Sequence, residues 1–198
     1  MLLDIVILPP RMVGKNIVKK VQEAARNIDT IYIVDNKNLF HHLSLLHLRI
    51  RKSNLEVINR ELKNILIKYK PCKISAIAVK ARTRSVWALL SSRSKLKVIN
   101  QMLLKYCAPL RSGNIPWTSI RKPTKGELKK IRLYGTKWCV GSTFIPHFTL
   151  ARCKNKKEAS LLAKHIGKMK FNFIGSTVAI CEINLDGQVT RIVKRFRV

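Results

Sequence analysis

The sequence is poor in acidic side chains. Only 10 of its 198 residues are Asp or Glu, against 40 Lys or Arg, so the formal net charge at pH 7 is +30. This excess of positive charge disfavours cationic partners and favours a polyanion such as RNA or DNA. The alternative is a compositional bias towards Lys, Ile and Asn, and the sequence leaves both explanations open.

Long apolar runs and metal-type cysteine spacings are also missing. No stretch reaches the ~20 apolar residues of a membrane helix, and the first apolar run is short and interrupted by Asp4, unlike a signal peptide. The five cysteines contain no CxxC pair and match no zinc signature. The sequence therefore predicts a soluble, reduced, cytoplasmic protein with free thiols, no membrane association, no metal site and no cofactor.

The apolar periodicity alternates between that of strands and that of helices. The predicted strands are 2–8, 30–35, 39–50, 72–80, 85–90, 145–153, 171–185 and 189–198. The predicted helices are 10–27, about 55–66, 92–107, 124–134 and 158–170, the fourth beginning with a capping box of Thr124 and Glu127. Asp186-Gly187 predicts a hairpin turn between the last two strands. This order is typical of a mixed α/β or α+β protein. No low-complexity linker divides the chain, so we expect a single domain over residues 1–198 with a crossover loop at 109–123.

Two short patterns place a histidine two residues before a hydroxyl. They are His42-Leu43-Ser44-Leu45 and, 105 residues later, His147-Phe148-Thr149-Leu150. Successive side chains of a strand point to opposite faces, so each pattern places an imidazole and a hydroxyl on one face. By the same alternation His41 points away from His42, and His47 is predicted to lie on the opposite face in a structural role.

Two imidazoles that face one site can serve as base and acid near neutral pH. The hydroxyls can donate hydrogen bonds to an anionic oxygen, and nearby Lys or Arg can stabilise charge in the transition state. This set suits phosphoryl chemistry without a metal, with water or a ribose hydroxyl as nucleophile. The alternative is a pair of unrelated structural histidines.

The two tetrapeptides at this spacing resemble those of the two-histidine (2H) phosphoesterases, also called LigT-like or 2′-5′ RNA ligase-like proteins. Pro146 before the second motif and Pro9-Pro10 after the opening strand also fit. The resemblance implies a bilobal, pseudo-two-fold α+β fold, in which mostly antiparallel sheets line a central cleft with helices outside.

The same resemblance implies the chemistry of the site. His42 and His147 would be the catalytic acid and base, in an order that stays open, and Ser44 and Thr149 would bind phosphate. The implied reaction is metal-independent hydrolysis of a 2′,3′-cyclic or 2′,5′-linked phosphodiester of RNA or nucleotides. A non-catalytic nucleotide- or RNA-binding module on the same fold is the alternative. No obligate protein partner is predicted.

Four further residues are candidate substrate contacts. Arg49 and Arg152 follow the two motifs at odd spacing, which points them away from the histidines unless a bulge intervenes. Trp138 and Phe144 precede the second motif and could stack on bases. Packing in the core is the alternative for these two aromatic side chains.

Overall fold

The computed structural model describes residues 1–116 and 122–198, which contain five α-helices and nine β-strands. The helices are α1 Arg11–Ala24, α2 Leu55–Lys68, α3 Arg93–Tyr106, α4 Lys125–Tyr134 and α5 Lys156–Ile166. The strands are β1 Leu2–Ile7, β2 Thr30–Ile33, β3 Leu43–Arg49, β4 Lys73–Arg82, β5 Ser85–Leu90, β6 His147–Cys153, β7 Asn172–Ile174, β8 Thr177–Ile183 and β9 Val189–Arg197. No helix in these two segments combines the length and apolar character needed to cross a membrane.

Local sequence explains where α4 begins and ends. The Thr124 hydroxyl accepts a hydrogen bond from the Glu127 backbone N–H, and the Glu127 carboxylate accepts one from the Thr124 N–H. This reciprocal pair satisfies two N–H groups that the first helical turn leaves without partners. At the other end Gly135 has a φ of 73°, a left-handed conformation that glycine adopts without steric cost.

The strands form two antiparallel sheets. The four-stranded sheet has the order β3-β1-β8-β9, and the five-stranded sheet has the order β2-β6-β5-β4-β7. An isolated bridge joins Phe40, just before β3, to Val189 at the start of β9. Because β3 and β9 are opposite edges of the four-stranded sheet, this bridge shows that the sheet curls on itself at that end.

Two predicted strands differ from the structure. The strand expected at 39–50 begins only at Leu43, so His42 immediately precedes it. The strand expected at 171–185 is two strands, β7 in the five-stranded sheet and β8 in the four-stranded sheet. The chain passes from one sheet to the other at Gly175, where an added Cβ would lie 2.8 Å from Cδ1 of Ile74. A side chain at this position would have to displace that methyl group.

The main hydrophobic core contains residues from both sheets and from the helices. The apolar residues of both motifs belong to it and have no exposed surface, namely Leu43, Leu45, Phe148 and Leu150. Burial of these side chains fixes which face of each motif strand points away from the core. The single domain over 1–198 stays a prediction, and residues 117–121 of the predicted crossover loop at 109–123 lie outside the described residues.

Candidate active site

The strand of the first motif contains a β-bulge at the motif's fourth residue. In the pairing of β1 with β3, Ile5 lies opposite Leu46, but the next residue, Val6, lies opposite Ser44. Leu45 is therefore the extra residue of β3. A bulge of this kind shifts the pairing by one residue and strengthens the local twist.

The strand of the second motif has a bulge at the same place. In the pairing of β5 with β6, Val86 lies opposite Ala151, but Trp87 lies opposite Thr149. Leu150, the fourth residue of its motif, is the extra residue. The two motif strands are thus alike in backbone irregularity as well as in sequence, and they contact each other.

Each bulge reverses the alternation of faces beyond the motif. His47 pairs with Asp4 and Ser44 with Val6, so His47 lies on the same face of β3 as Ser44. The prediction that His47 lies on the opposite face is therefore wrong, because the alternation was counted for a regular strand. By the same count Arg49 lies on the face of Ser44.

The second strand behaves in the same way. Arg152 pairs with Ser85 and Thr149 with Trp87, so Arg152 shares the face of Thr149 rather than pointing away from it. Bulges thus bring both arginine positions onto the faces that carry the motif hydroxyls.

The two motif histidines are held in the same manner. Nδ1 of His42 lies 2.7 Å from the carbonyl oxygen of Phe40, and Nδ1 of His147 lies 2.7 Å from that of Ile145. In each case the acceptor is two residues earlier in the chain. A carbonyl can only accept, so Nδ1 carries the donated proton and Nε2 of each neutral ring holds the free lone pair.

His42 lies beside a carboxylate. Its side chain is 5% exposed, and its Nε2 lies 3.8 Å from Oδ2 of Asp4. Burial lowers the pKa of His42 below its ordinary value of 6.5, while the charge of Asp4 and the carbonyl oxygens of Phe40 and Gly187 oppose that shift. Asp4 therefore favours the protonated ring at this position.

His147 lies against an aromatic ring. Its imidazole stacks on Trp87 with the ring centroids 3.8 Å apart and the planes inclined by 23°. Desolvation lowers the pKa of His147 to about 4, the carbonyl of Ile145 opposes the shift, and the charge of His42 adds to it. The last contribution shows that the two imidazoles lie within electrostatic reach of each other. At neutral pH the ring of His147 is neutral, and its Nε2 can accept a proton.

Asp4 is fully buried and joins three side chains of the first half of the site. Its Oδ2 accepts a 2.6 Å hydrogen bond from Ser44 Oγ, lies 3.2 Å from Nε2 of His47, and is the atom close to His42. Burial lowers the pKa of His47, but the charge and hydrogen bond of Asp4 and the contact with Cys139 outweigh it, so this pKa lies well above 6.5. Sequence reasoning missed Asp4 and His47, although a lone charge inside an apolar strand is a signal that a buried carboxylate has partners.

Arg152 connects the two sheets. Its guanidinium donates to the carboxylate of Asp186, in the turn between β8 and β9, and bonds the hydroxyl of Tyr32 on β2. Burial together with the charge of Asp186 raises the pKa of Tyr32 to about 12. The next residue of the turn, Gly187, places its carbonyl near His42. Arg152 therefore ties the second motif strand to the turn beside the first histidine.

The other candidate residues lie in different surroundings. Phe144 has no exposed surface and packs in the core, so it presents no face to a base. Trp138 is 41% exposed, with the Lys137 ammonium 5.4 Å from its ring centroid. Arg49 is exposed at the end of β3. His41 is buried against Phe148, with the ring centroids 6.1 Å apart. It takes no part in the hydrogen bond that orients His42.

The described residues hold no three His, Cys, Asp or Glu side chains grouped as metal ligands.

Trp87 is another site residue that sequence reasoning missed. It lies in a strand whose alternation is visible in the sequence, but its contact with His147 depends on strand pairing and on the bulge in β6.

No protein-family model and no curated protein matches the chain. Several solved structures do. TT0787 of Thermus thermophilus matches with a TM-score of 0.58 at 15% identity, over 100% of this chain and 97% of that one. E. coli LigT complexed with NADP+ matches with a TM-score of 0.56 at 14% identity, over 99% and 96%. Kluyveromyces marxianus Usb1 matches with a TM-score of 0.51 at 12% identity, over 100% and 96%.

At these identities the likeness shows the fold. The chain has an α+β fold like that of LigT, built from two antiparallel sheets and spanning nearly the whole length of both proteins. The resemblance to LigT-like proteins that the paired motifs indicate is therefore confirmed at the level of the fold.

Proposed function

We propose that this protein is a two-histidine phosphoesterase that hydrolyses a 2′,3′-cyclic or 2′,5′-linked phosphodiester of RNA or nucleotides. The observation that carries the proposal is the equivalence of His42 and His147. Each begins a His-x-hydroxyl motif, each precedes a bulge at the motif's fourth residue, and each binds the carbonyl two residues earlier through Nδ1. Two unrelated structural histidines have no reason to share all three features.

The proposed reaction uses the Nε2 atoms of the two rings, since Nδ1 of each is bonded to a backbone carbonyl. One neutral imidazole takes a proton from water as the water oxygen forms a bond to phosphorus. The bond from phosphorus to the leaving ribose oxygen breaks, and the other ring, protonated, gives that oxygen a proton. Burial lowers the pKa of both rings. Asp4 opposes that lowering more strongly at His42, which it lies beside, so His42 suits the acid and His147 the base. The protein supplies no nucleophile, and the next cycle begins once the two rings have exchanged a proton with solvent.

Phosphate binding is assigned to the Thr149 hydroxyl and to the cations on the hydroxyl-bearing faces, because the Ser44 hydroxyl already donates to Asp4. Thr149 shares its face with Arg152, and Ser44 shares its face with Arg49. A hydroxyl and a guanidinium that converge on a phosphate can stabilise the negative charge that grows on its oxygens in the transition state. Trp138, partly exposed before the second motif, is a candidate surface for a base.

The substrate class follows from charge and from the neighbouring structures. A net charge of +30 attracts a polyanion, and LigT was solved in complexes with NADP+ and with 3′-AMP. Both ligands are nucleotides. These two observations favour a nucleotide or an RNA end over other phosphodiesters, and they predict that KM rises steeply with salt for an RNA substrate.

The test is hydrolysis by the purified protein, with and without EDTA, of 2′,3′-cyclic mononucleotides, RNA with a 2′,3′-cyclic end and a 2′,5′-linked dinucleotide. His42→Ala and His147→Ala are each expected to lower kcat by about 10² to 10⁴-fold. The double variant is expected to lose little more than the worse single one, because the two groups act as a unit. His165→Ala, on the exposed part of α5, is the matched control.

Turnover that survives in the double variant would refute two-histidine catalysis. Loss of activity on EDTA treatment would refute metal independence.

A non-catalytic nucleotide- or RNA-binding module is the second candidate. The observation that favours it is the hydrogen bond from Ser44 to Asp4, which occupies one of the two hydroxyl donors. Salt-sensitive binding of RNA with no turnover of the three substrates would favour this candidate over the first.

A further inference from the structure

The two halves of the site differ at one equivalent position. Beyond the bulge in β3, the next residue on the same face as the motif hydroxyl is His47. Beyond the bulge in β6, it is Arg152. Arg152 is partly exposed, and its partner Asp186 lies in a surface turn. The partner of His47 is Asp4, which is fully buried in the middle of the four-stranded sheet. The first half therefore has a buried carboxylate–imidazole pair, where the second half has a partly exposed ion pair.

The buried pair touches both functional side chains of its motif. One oxygen, Oδ2 of Asp4, accepts from the Ser44 hydroxyl at 2.6 Å, lies 3.2 Å from Nε2 of His47 and lies 3.8 Å from Nε2 of His42. The hydroxyl proton of Ser44 points at this oxygen and not at the space where a substrate would lie. A buried carboxylate is costly unless it is paired, so His47 is the counterion that allows Asp4 to remain charged here.

We propose that Asp4 and His47 are positioning residues that hold Ser44 and His42 and make the two halves of the site unequal. In this arrangement the hydroxyl that donates to the phosphate is that of Thr149, while Ser44 fixes the carboxylate against His42. The kinetic consequence rests on the function proposed above. The electrostatic consequence does not, because it concerns the free protein.

The groups around the two rings determine what each substitution does. Four titratable groups lie near His42: Asp4 from β1, the neighbouring His41, His47 from β3 and His147 from β6. The carbonyl oxygens of Phe40 and Gly187 also face the ring. His47 faces Asp4 and the side chain of Cys139. Of these neighbours only Asp4 is acidic and close to both rings.

Asp4→Asn removes the negative charge beside His42. The same charge stabilises the protonated form of His47, so this ring is also expected to lose its proton more readily. The pKa of His42 is expected to fall, because Asp4 acts on it more strongly than the opposing charge that His47 loses. The pKa of His47 is expected to fall further. His47→Gln keeps an N–H donor for Asp4 but removes the positive charge. His42 is then the group left to balance the carboxylate, and the opposing charge of His47 is gone, so the pKa of His42 is expected to rise. Two substitutions in one pair thus shift the same ring in opposite directions.

The experiment is a histidine titration by NMR on the ligand-free protein, with each ring assigned by its own substitution. Glu182→Gln is the matched control, because it removes a carboxylate from the same sheet that bonds Arg191 instead of a histidine. This control is expected to leave the pKa values of His42 and His47 unchanged. Thermal unfolding followed by circular dichroism establishes that each variant is folded, and if Asp4→Asn does not fold, His47→Gln and Ser44→Ala still report on the pair.

Opposite shifts of His42 in the two variants support the proposal. Shifts in one direction, or none, overturn it. In activity assays, the limb of the pH–rate profile that reports the pKa of His42 is expected to shift together with that pKa. Asp4→Asn is expected to lower kcat/KM by up to about 100-fold, because the His42 ring is misplaced. If wild-type protein turns over none of the phosphodiesters but the titrations shift as described, the proposed function fails and the positioning pair stands.

Discussion

Trp87 provides a test of how His147 is held. Two contacts orient that imidazole, the bond from Nδ1 to the carbonyl of Ile145 and the stack on the indole at 3.8 Å. Trp87→Leu keeps an apolar side chain at the position but removes the aromatic face, whereas Trp87→Phe keeps a face. We therefore expect a large loss of activity for the first variant and a small one for the second.

The magnitude follows from two contributions. A stacked aromatic pair contributes about 0.5–1.5 kcal/mol beyond its burial. When His147 takes a proton it becomes a cation against the indole face, which contributes a further ~0.5–1 kcal/mol. The Arg82 guanidinium, 5.5 Å from the same ring, opposes that second contribution. A net loss of about 1–2 kcal/mol corresponds to a kcat/KM lower by roughly 5- to 30-fold.

The assay is the hydrolysis of a 2′,3′-cyclic mononucleotide over a range of pH, with kcat and KM determined separately. The loss for Trp87→Leu is expected in kcat. Tyr106→Leu, which removes an exposed aromatic ring at the end of α3, is the control for a general effect of such a change. A Trp87→Leu enzyme within twofold of wild type would refute the reasoning. So would equal losses in both Trp87 variants confined to KM, since that pattern means direct contact between the indole and the substrate.

Three further predictions concern neighbouring residues. Thr149→Ala is expected to lower kcat by about 10² to 10³-fold as an anion donor is lost, whereas Ser44→Ala, whose hydroxyl is committed to Asp4, should cost less than about 10-fold; comparable losses would contradict this assignment. Phe148→Ala, in the core between two Phe rings, should lower the free energy of unfolding by about 3–5 kcal/mol, measured by urea denaturation with a Phe196→Leu change at a partly buried position alongside it. His41 has a pKa lowered to about 3 by burial, so the unfolded chain takes up its proton first and stability is lost as pH falls from about 6.5 towards 3. The pH dependence of unfolding should be flatter in His41→Gln by up to about 1.4 kcal/mol per pH unit, and equal slopes would show that His41 is protonated in the folded state.

The features that sequence reasoning identified are local ones. The capping box of Thr124 and Glu127 needs only residues three apart, and the turn at Asp186-Gly187 needs only two neighbours, with Gly187 at a φ of 74°. Each of the two His-x-hydroxyl motifs is also only four residues long. Such patterns depend on the chain's own geometry, and so they survive folding unchanged.

The features that it missed depend on strand pairing. The bulge at Leu45 is defined only by the pairing of β3 with β1. A regular alternation that ignores this bulge places His47 on the wrong face of the strand. Asp4 meets His47 because β1 and β3 are antiparallel neighbours, a contact that no local pattern specifies. The break at Gly175 similarly reflects a close approach to Ile74, far away in the sequence. Register and tertiary packing, rather than propensity, decide these positions.

The position of β1 in its sheet has a consequence for how the chain folds. This strand, at residues 2–7, is paired on one side with β3 and on the other with β8, at residues 177–183. During synthesis the second partner emerges only after almost all the rest of the chain, so one edge of β1 has no strand to bond until then. An open apolar edge of this kind invites pairing with other chains, and contacts so distant in sequence are slow to form. Refolding is therefore expected to be rate-limited by the docking of the β8–β9 hairpin, the same hairpin that brings Asp186 to Arg152 and the Gly187 carbonyl to His42.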